Sequence, residues 1–140
     1  MRGLKAAGMA ALLVVTTSCG GKGTAPSPST FTETFTGTVT QGATSYGEGN
    51  RNHFTVRQPG LISATLTRLS PTSSITIGLG LGVFNTSTSS CTLQNFADGA
   101  KLNLSLNSDA SVAGEFCVGV YDVGNIQGTP IDYTVTVVHT

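Results

Sequence analysis

The 140-residue chain has no tryptophan, two histidines and three cysteines, and only 10% of its side chains are charged. Each scarcity excludes something. A sugar-binding platform of stacked rings has little to draw on beyond Tyr46, Phe96 and Tyr121, and each of these also reads as a turn or packing residue. His53 and His139 are the only imidazoles, too few beside three scattered cysteines for a zinc site, which takes four converging ligands. Seven basic residues stand against seven acids, so no basic surface is available for a phosphate backbone, and nucleic acid is excluded as a partner. HExxH, CxxC, GxSxG and Gly-rich phosphate loops are all missing. Without a nucleophile, base and orienter the chain reads as non-catalytic, with no cofactor. Both histidines then read as solvent-facing strand positions.

Long apolar runs are also missing. The start, "MRGLKAAGMAALLVVTTSCGGKG", places Arg2 and Lys5 before about ten apolar residues, 6–15. That run is too short to cross a bilayer core of roughly 30 Å. A basic start, a short apolar middle and small residues afterwards make a secretory signal peptide, residues 1–18. Its end, "VVTTSC", resembles the lipobox of bacterial lipoproteins, in which the cysteine becomes the lipidated N-terminus. Ser18 and Cys19 match, while Thr16 stands where leucine is usual. Gly20, not Asp, follows, which by resemblance to enterobacterial sorting permits export to the outer membrane. The alternative is cleavage near Ser18 to a soluble periplasmic or secreted protein.

An odd cysteine count in an exported chain asks for an explanation. If Cys19 carries lipid, Cys91 and Cys117 remain as a pair, in a compartment where a disulfide persists. Closing that loop would stabilise the fold by roughly 3–4 kcal/mol in the chain-entropy model. With Arg2 and Lys5 removed, five basic residues face seven acids, a formal balance of −2. Residues 20–30, "GKGTAPSPST" with its leading glycine, read as a flexible tether. One domain, residues 31–140, follows.

In that domain the period is two. "FTETFTGTVT" sets Phe31, Phe35 and Val39 against a threonine ladder. "NHFTVR", "LISATLTRL", "KLNLSLN", "EFCVGVYD" and "IDYTVTVVH" alternate likewise, and turn-rich clusters separate them. This predicts an all-β antiparallel sandwich or jelly roll of about eight strands. "ITIGLGLGVF" is the odd member. Ile75, Ile77, Leu79, Leu81 and Val83 share a face, and Gly78, Gly80 and Gly82 share the other with Thr76. Val83 stands where a dinucleotide fingerprint needs its third glycine, and the next segment, "NTSTSS", reads as loop rather than helix. The segment is therefore a strand whose bare face admits something close. The expected cover is internal, from the Thr-rich first strand or Tyr121; the alternative is a ligand.

Together "ETFTGTV", "NRNHFTVRQPGLISATLT", "ITIGLGLGVFN" and "AGEFCVGVYDVGN…DYTVTVV" resemble the bacterial pre-peptidase C-terminal domain family, small β-sandwich modules of secreted proteases and surface proteins. The resemblance implies a non-catalytic module that binds, adheres or scaffolds, with a protein or glycan partner. A carbohydrate-binding module, for which Tyr46, Phe96 and Tyr121 would have to serve, is the alternative from the residues, and service as accessory or inhibitor of a secreted protease is implied by the resemblance alone. Some relatives bind calcium through clustered acids. Here Asn50 and Asn52 occupy common acid positions, leaving Glu33, Glu48 and Asp122, against the six to eight oxygens calcium takes; no metal site is expected. The disulfide is expected outside the main core, because Cys117 alternates with Phe116 and Val118, and it should clamp the loop after Phe84 to the strand through Val120.

Overall fold

Alternating apolar residues can be buried only if each strand lies with one face against a second layer. A computed structural model, which describes residues 27–44 and 51–140, shows how this chain achieves it. The strands are β1 (Phe31–Val39), β2 (Arg51–Val56), β3 (Gly60–Ser70), β4 (Ile77–Asn85), β5 (Ser90–Ala100), β6 (Ser105–Ala110), β7 (Gly114–Tyr121) and β8 (Ile131–His139). They form two antiparallel sheets in the orders β1-β8-β3-β6 and β2-β7-β4-β5. The described residues contain no helix, so the fold is the all-β sandwich that the alternation predicts. The chain changes sheet at every connection except the β4–β5 hairpin, where Asn85 Oδ1 accepts from the backbone N–H groups of Ser87 and Thr88.

The core lies between the sheets. Ile62, Ala64 and Leu66 of β3 and Val135 and Val137 of β8 meet Val56 of β2, Leu79 and Leu81 of β4 and Val118 of β7. Burying each such aliphatic side chain contributes about 1.5–3 kcal/mol. Three expectations are corrected at the margins. Val83, assigned to the core face, is 41% exposed, lying opposite Phe116 near the end of the sheet. "KLNLSLN" is a turn at residues 101–104 and a strand only from Ser105, although Leu104 and Leu106 still pack against the core. The segment after Phe84, read as loop, contains the eleven-residue strand β5, so Cys91 sits in a strand and not in a loop.

The glycine face of β4 points away from the core and is covered by the protein itself. Tyr121 lies over Gly78, and the Leu93 side chain lies over Gly80 and over Gly119 of β7. A methyl group at Gly82 would collide with the backbone carbonyl of Thr92. The expectation of Tyr121 holds. That of the first strand does not, since β1 is an edge of the opposite sheet. The main cover is β5. Its register against β4 shifts between Ile77 and Leu79 and again between Leu81 and Gly82. Bulges of this kind bend a strand and increase its twist, and here they carry β5 across the outer face of β4.

The disulfide joins Cys91 of β5 to Cys117 of β7, although β4 lies between those strands in the sheet. Next-but-one strands normally stand about 9–10 Å apart, twice the interstrand spacing. The two Cα atoms are 5.9 Å apart, a distance reached because β5 folds over β4. The bridge is outside the main core, as expected, yet both cysteines are buried beneath that fold-over.

Because backbone cannot turn aside as a side chain can, Gly82→Ala should be the most damaging glycine substitution in β4. Gly80→Val, which displaces only Leu93, should cost about 1–3 kcal/mol, as overpacking usually does. Gly99→Ala on β5 meets open space and should be neutral or gain up to about 1 kcal/mol. Thermal unfolding of the three variants gives the order, and a Gly82→Ala protein as stable as the parent would contradict it.

Candidate functional site

Two places gather polar chemistry, one at each end of the sandwich. At the first, β1 and β2 are edges of opposite sheets and leave a cleft of about 250 Å³ between Phe31, Glu33, His53, Phe54, Arg57 and His139. Both histidines of the chain line it. The alternation of β8 that buries Ile131, Tyr133, Val135 and Val137 continues to residue 139, so His139 faces inward and is 2% exposed. The reading of His139 as a solvent-facing position is therefore corrected. The alternation of β1 likewise places Glu33 between Phe35 and Phe31 on the inward side.

The two inward polar residues meet. His139 Nε2 donates to Glu33 Oε1 over 2.9 Å, and Nδ1 faces the Thr140 carbonyl oxygen at 3.3 Å. The ring also packs on Phe54, with centroids 5.0 Å apart, and on Phe31 at 5.8 Å. A buried polar group without partners is costly, and this pairing satisfies His139 where the core ends. His53 is exposed and stacks on Phe84 with centroids 4.4 Å apart. The Arg57 guanidinium lies 4.8 Å from the Phe31 centroid. Among the described residues it has no carboxylate within ion-pair distance. Neither imidazole has a hydroxyl or thiol among its hydrogen-bond partners in the described residues.

At the other end, Asp122 organises the loop that follows β7. Its Oδ1 accepts from the N–H groups of Gly124 (2.8 Å), Asn125 (3.0 Å) and Ile126 (3.1 Å), and Oδ2 accepts from Gly42 (2.9 Å). The Asp122 N–H donates back to the Ala43 carbonyl. This sews the β7–β8 loop to the turn after β1. The Tyr121 hydroxyl donates to Asp98 at 2.6 Å. Burial is the largest single influence on the Asp122 carboxyl and acts to raise its pKa; the four backbone donors together outweigh it and hold the group below its ordinary 3.8.

The acids considered for calcium are not brought together. Glu33 is engaged by His139 at one end, and Asp122 by four N–H groups at the other. Glu48 lies outside the described residues, and no cluster of three metal-ligating side chains occurs within them. The aromatic platform is not assembled either. Tyr121 is buried over Gly78, Phe96 is exposed alone, and Tyr46 lies outside the described residues. Residues 1–18, expected to be a signal peptide, Cys19, and residues 20–26 of the expected tether also lie outside them. Cys91 and Cys117 are bonded. Compared with protein-family models and with curated proteins, the sequence matches none.

A carboxyl whose folded pKa is lowered stabilises the fold fully above its unfolded pKa, and that contribution is lost as pH falls through the folded value. Asp122→Ala should therefore cost about 1–2 kcal/mol at neutral pH, as the loss of a comparable capping carboxylate does. The gap between parent and variant should narrow as pH drops below 3.8 toward the folded value. Denaturant unfolding at pH 7 and across the acid range measures it. A gap that is constant with pH would show that the charge is not what holds the loop.

Proposed function

We propose that the chain is an exported lipoprotein whose β-sandwich is held at the bacterial cell envelope by a lipid on Cys19 and works as a non-catalytic binding or scaffolding module of the pre-peptidase C-terminal type. One observation carries the reading. Of three cysteines, two are joined to each other inside the fold, and the third stands at the end of a signal-like segment in the sequence "TTSC". An exported chain with one leftover cysteine needs a use for it, and lipidation supplies one. Gly20 after the cysteine favours the outer membrane. Residues 20–30, rich in Gly, Ser, Thr and Pro, suit a tether.

The polar groups of the described domain support a module that holds a partner. Each inward or loop carboxylate serves structure: Glu33 anchors His139, and Asp122 anchors the loop after β7. The outer face of the β1-β8-β3-β6 sheet carries a lattice of hydroxyls, with Thr34 beside Thr136 and Thr136 beside Thr65. Such a face is well hydrated and resists non-specific association.

Metabolic labelling with an alkyne palmitate analogue should mark the parent chain and leave Cys19→Ser unmarked. The parent should fractionate with membranes. A parent chain found wholly in the soluble fraction with its N-terminus at another residue would refute the lipoprotein reading.

A further inference from the structure

The end of the sandwich where the tether enters differs from the rest of the surface. Phe31 opens β1 directly after residue 30, and it is exposed. Its strand partner is His139, and Thr32 beside it pairs with Val138, which is also exposed. Val138 in turn pairs with Ser63, two residues from Leu61 on the same outward face of β3, and Leu61 is 55% exposed. Leu61 pairs with Asp109, next to the β6–β7 turn, whose tip carries Val112 at 64% exposure. Register therefore brings to one end Phe31 on the inward side of β1 and Leu61 and Val138 on the outward face of the same sheet, with Val112 at the turn tip. Arg57 stands among them, its guanidinium over the Phe31 ring. Of the large hydrophobic residues exposed in the described fold, Phe96 is the one in the middle of a strand away from this end.

We propose that this end is a lipid-contacting surface, seated on the headgroup region of the bilayer that holds Cys19; the inference rests on the lipoprotein reading above. Two features select a membrane as occupant. The first is reach: the eleven steps from Cys19 to Thr30, as a Gly/Ser-rich coil, average about 20 Å end to end, shorter than the roughly 30 Å of the nine-residue strand β1, and they enter the domain at Phe31. The apolar end is thus the one kept next to the lipid, whereas the Asp122 end lies a strand length away. The second is chemistry. Aliphatic and phenyl groups enter the acyl boundary while an arginine over an aromatic ring keeps its charge at the headgroups. Arg57 has no carboxylate partner among the described residues, so it is available to an anionic lipid phosphate. Of the acids at this end, Glu33 is engaged by His139 and Glu115 by the Thr55 hydroxyl, while Asp109 is exposed beside Leu61, so the apolar groups carry the contact and Arg57 offsets the carboxylate charge only in part.

The absence of tryptophan makes the test direct. Val112→Trp and Ser73→Trp, placed at opposite ends in exposed turns, each give a protein with one tryptophan. The lipidated chains are purified from membranes and reconstituted into phosphatidylcholine–phosphatidylglycerol vesicles with and without brominated acyl chains. The proposal predicts quenching and a blue shift at residue 112 and neither at residue 73. Adding Leu61→Ser and Val138→Ser should abolish quenching at 112 while the chain stays in the vesicle fraction. Equal quenching at both ends, or none at 112 in a chain that floats with the vesicles, overturns the contact and leaves the anchor intact. A chain that carries no lipid and does not float removes the anchored reading, and the contact with it.

Discussion

The outer sheet depends on how closely one backbone approaches another at Gly82. The Thr92 carbonyl occupies the space a side chain would need there, and this lets β5 lie across β4 and reach β7. Gly80, Gly119 and Gly78 extend the clearance on either side, filled by Leu93 and Tyr121. The Cys91–Cys117 bond then fixes the fold-over covalently. Glycine in a strand interior ordinarily weakens it. Here the loss is offset by what the bare face admits: a buried disulfide, a packed leucine and a tyrosine hydrogen-bonded to Asp98. The sheet acquires a second, outer layer without a third sheet.

This arrangement sets the character of the molecule. One side of the sandwich is closed where β5 and β6 meet, with Asn95 donating to the Asn107 carbonyl. The opposite side, between β1 and β2, stays open as the cleft around His139. Its wall is held by the His139–Glu33 hydrogen bond at the limit of the core and by stacked rings. Among the described residues the polar clusters around His139 and Asp122 lie at opposite ends of the sandwich. β1 begins at one end, and the loop ordered by Asp122 lies at the other. For a module proposed to work at an envelope surface, that polarity gives it a proximal face and a distal face.

Much of this was legible in the sequence, and the failures have definite causes. Period-two alternation located β1, β2, β3, β4, β7 and β8 because each has one face in the core. It failed at β5, whose inner and outer faces are both partly covered, so that "SCTLQNFADGA" has no clean apolar side and contains Gln, Asn, Asp and Gly, which are poor strand formers. The cysteine pair followed from count and compartment, but its path across β4 depends on bulges that no local pattern announces. The cleft was visible in principle. Glu33 falls in phase with Phe31 and Phe35, and His139 in phase with Val135 and Val137. An acid and a histidine, each on the apolar side of a strand, are a complementary pair that alternation alone exposes. Reading His139 as a surface residue ignored its phase.

The sheet's fold-over requires that β5 rest on the glycines of β4. A double-mutant cycle between Gly80→Ala and Leu93→Ala measures this directly. The added methyl group and the leucine tip compete for one space, so removing the leucine should relieve the cost of the alanine. The account predicts that the double variant is more stable than the sum of the single effects allows, by about 0.5–3 kcal/mol, the usual coupling of residues in contact. Strict additivity in denaturant unfolding would mean that Leu93 does not lie on Gly80, and the fold-over would have to be abandoned.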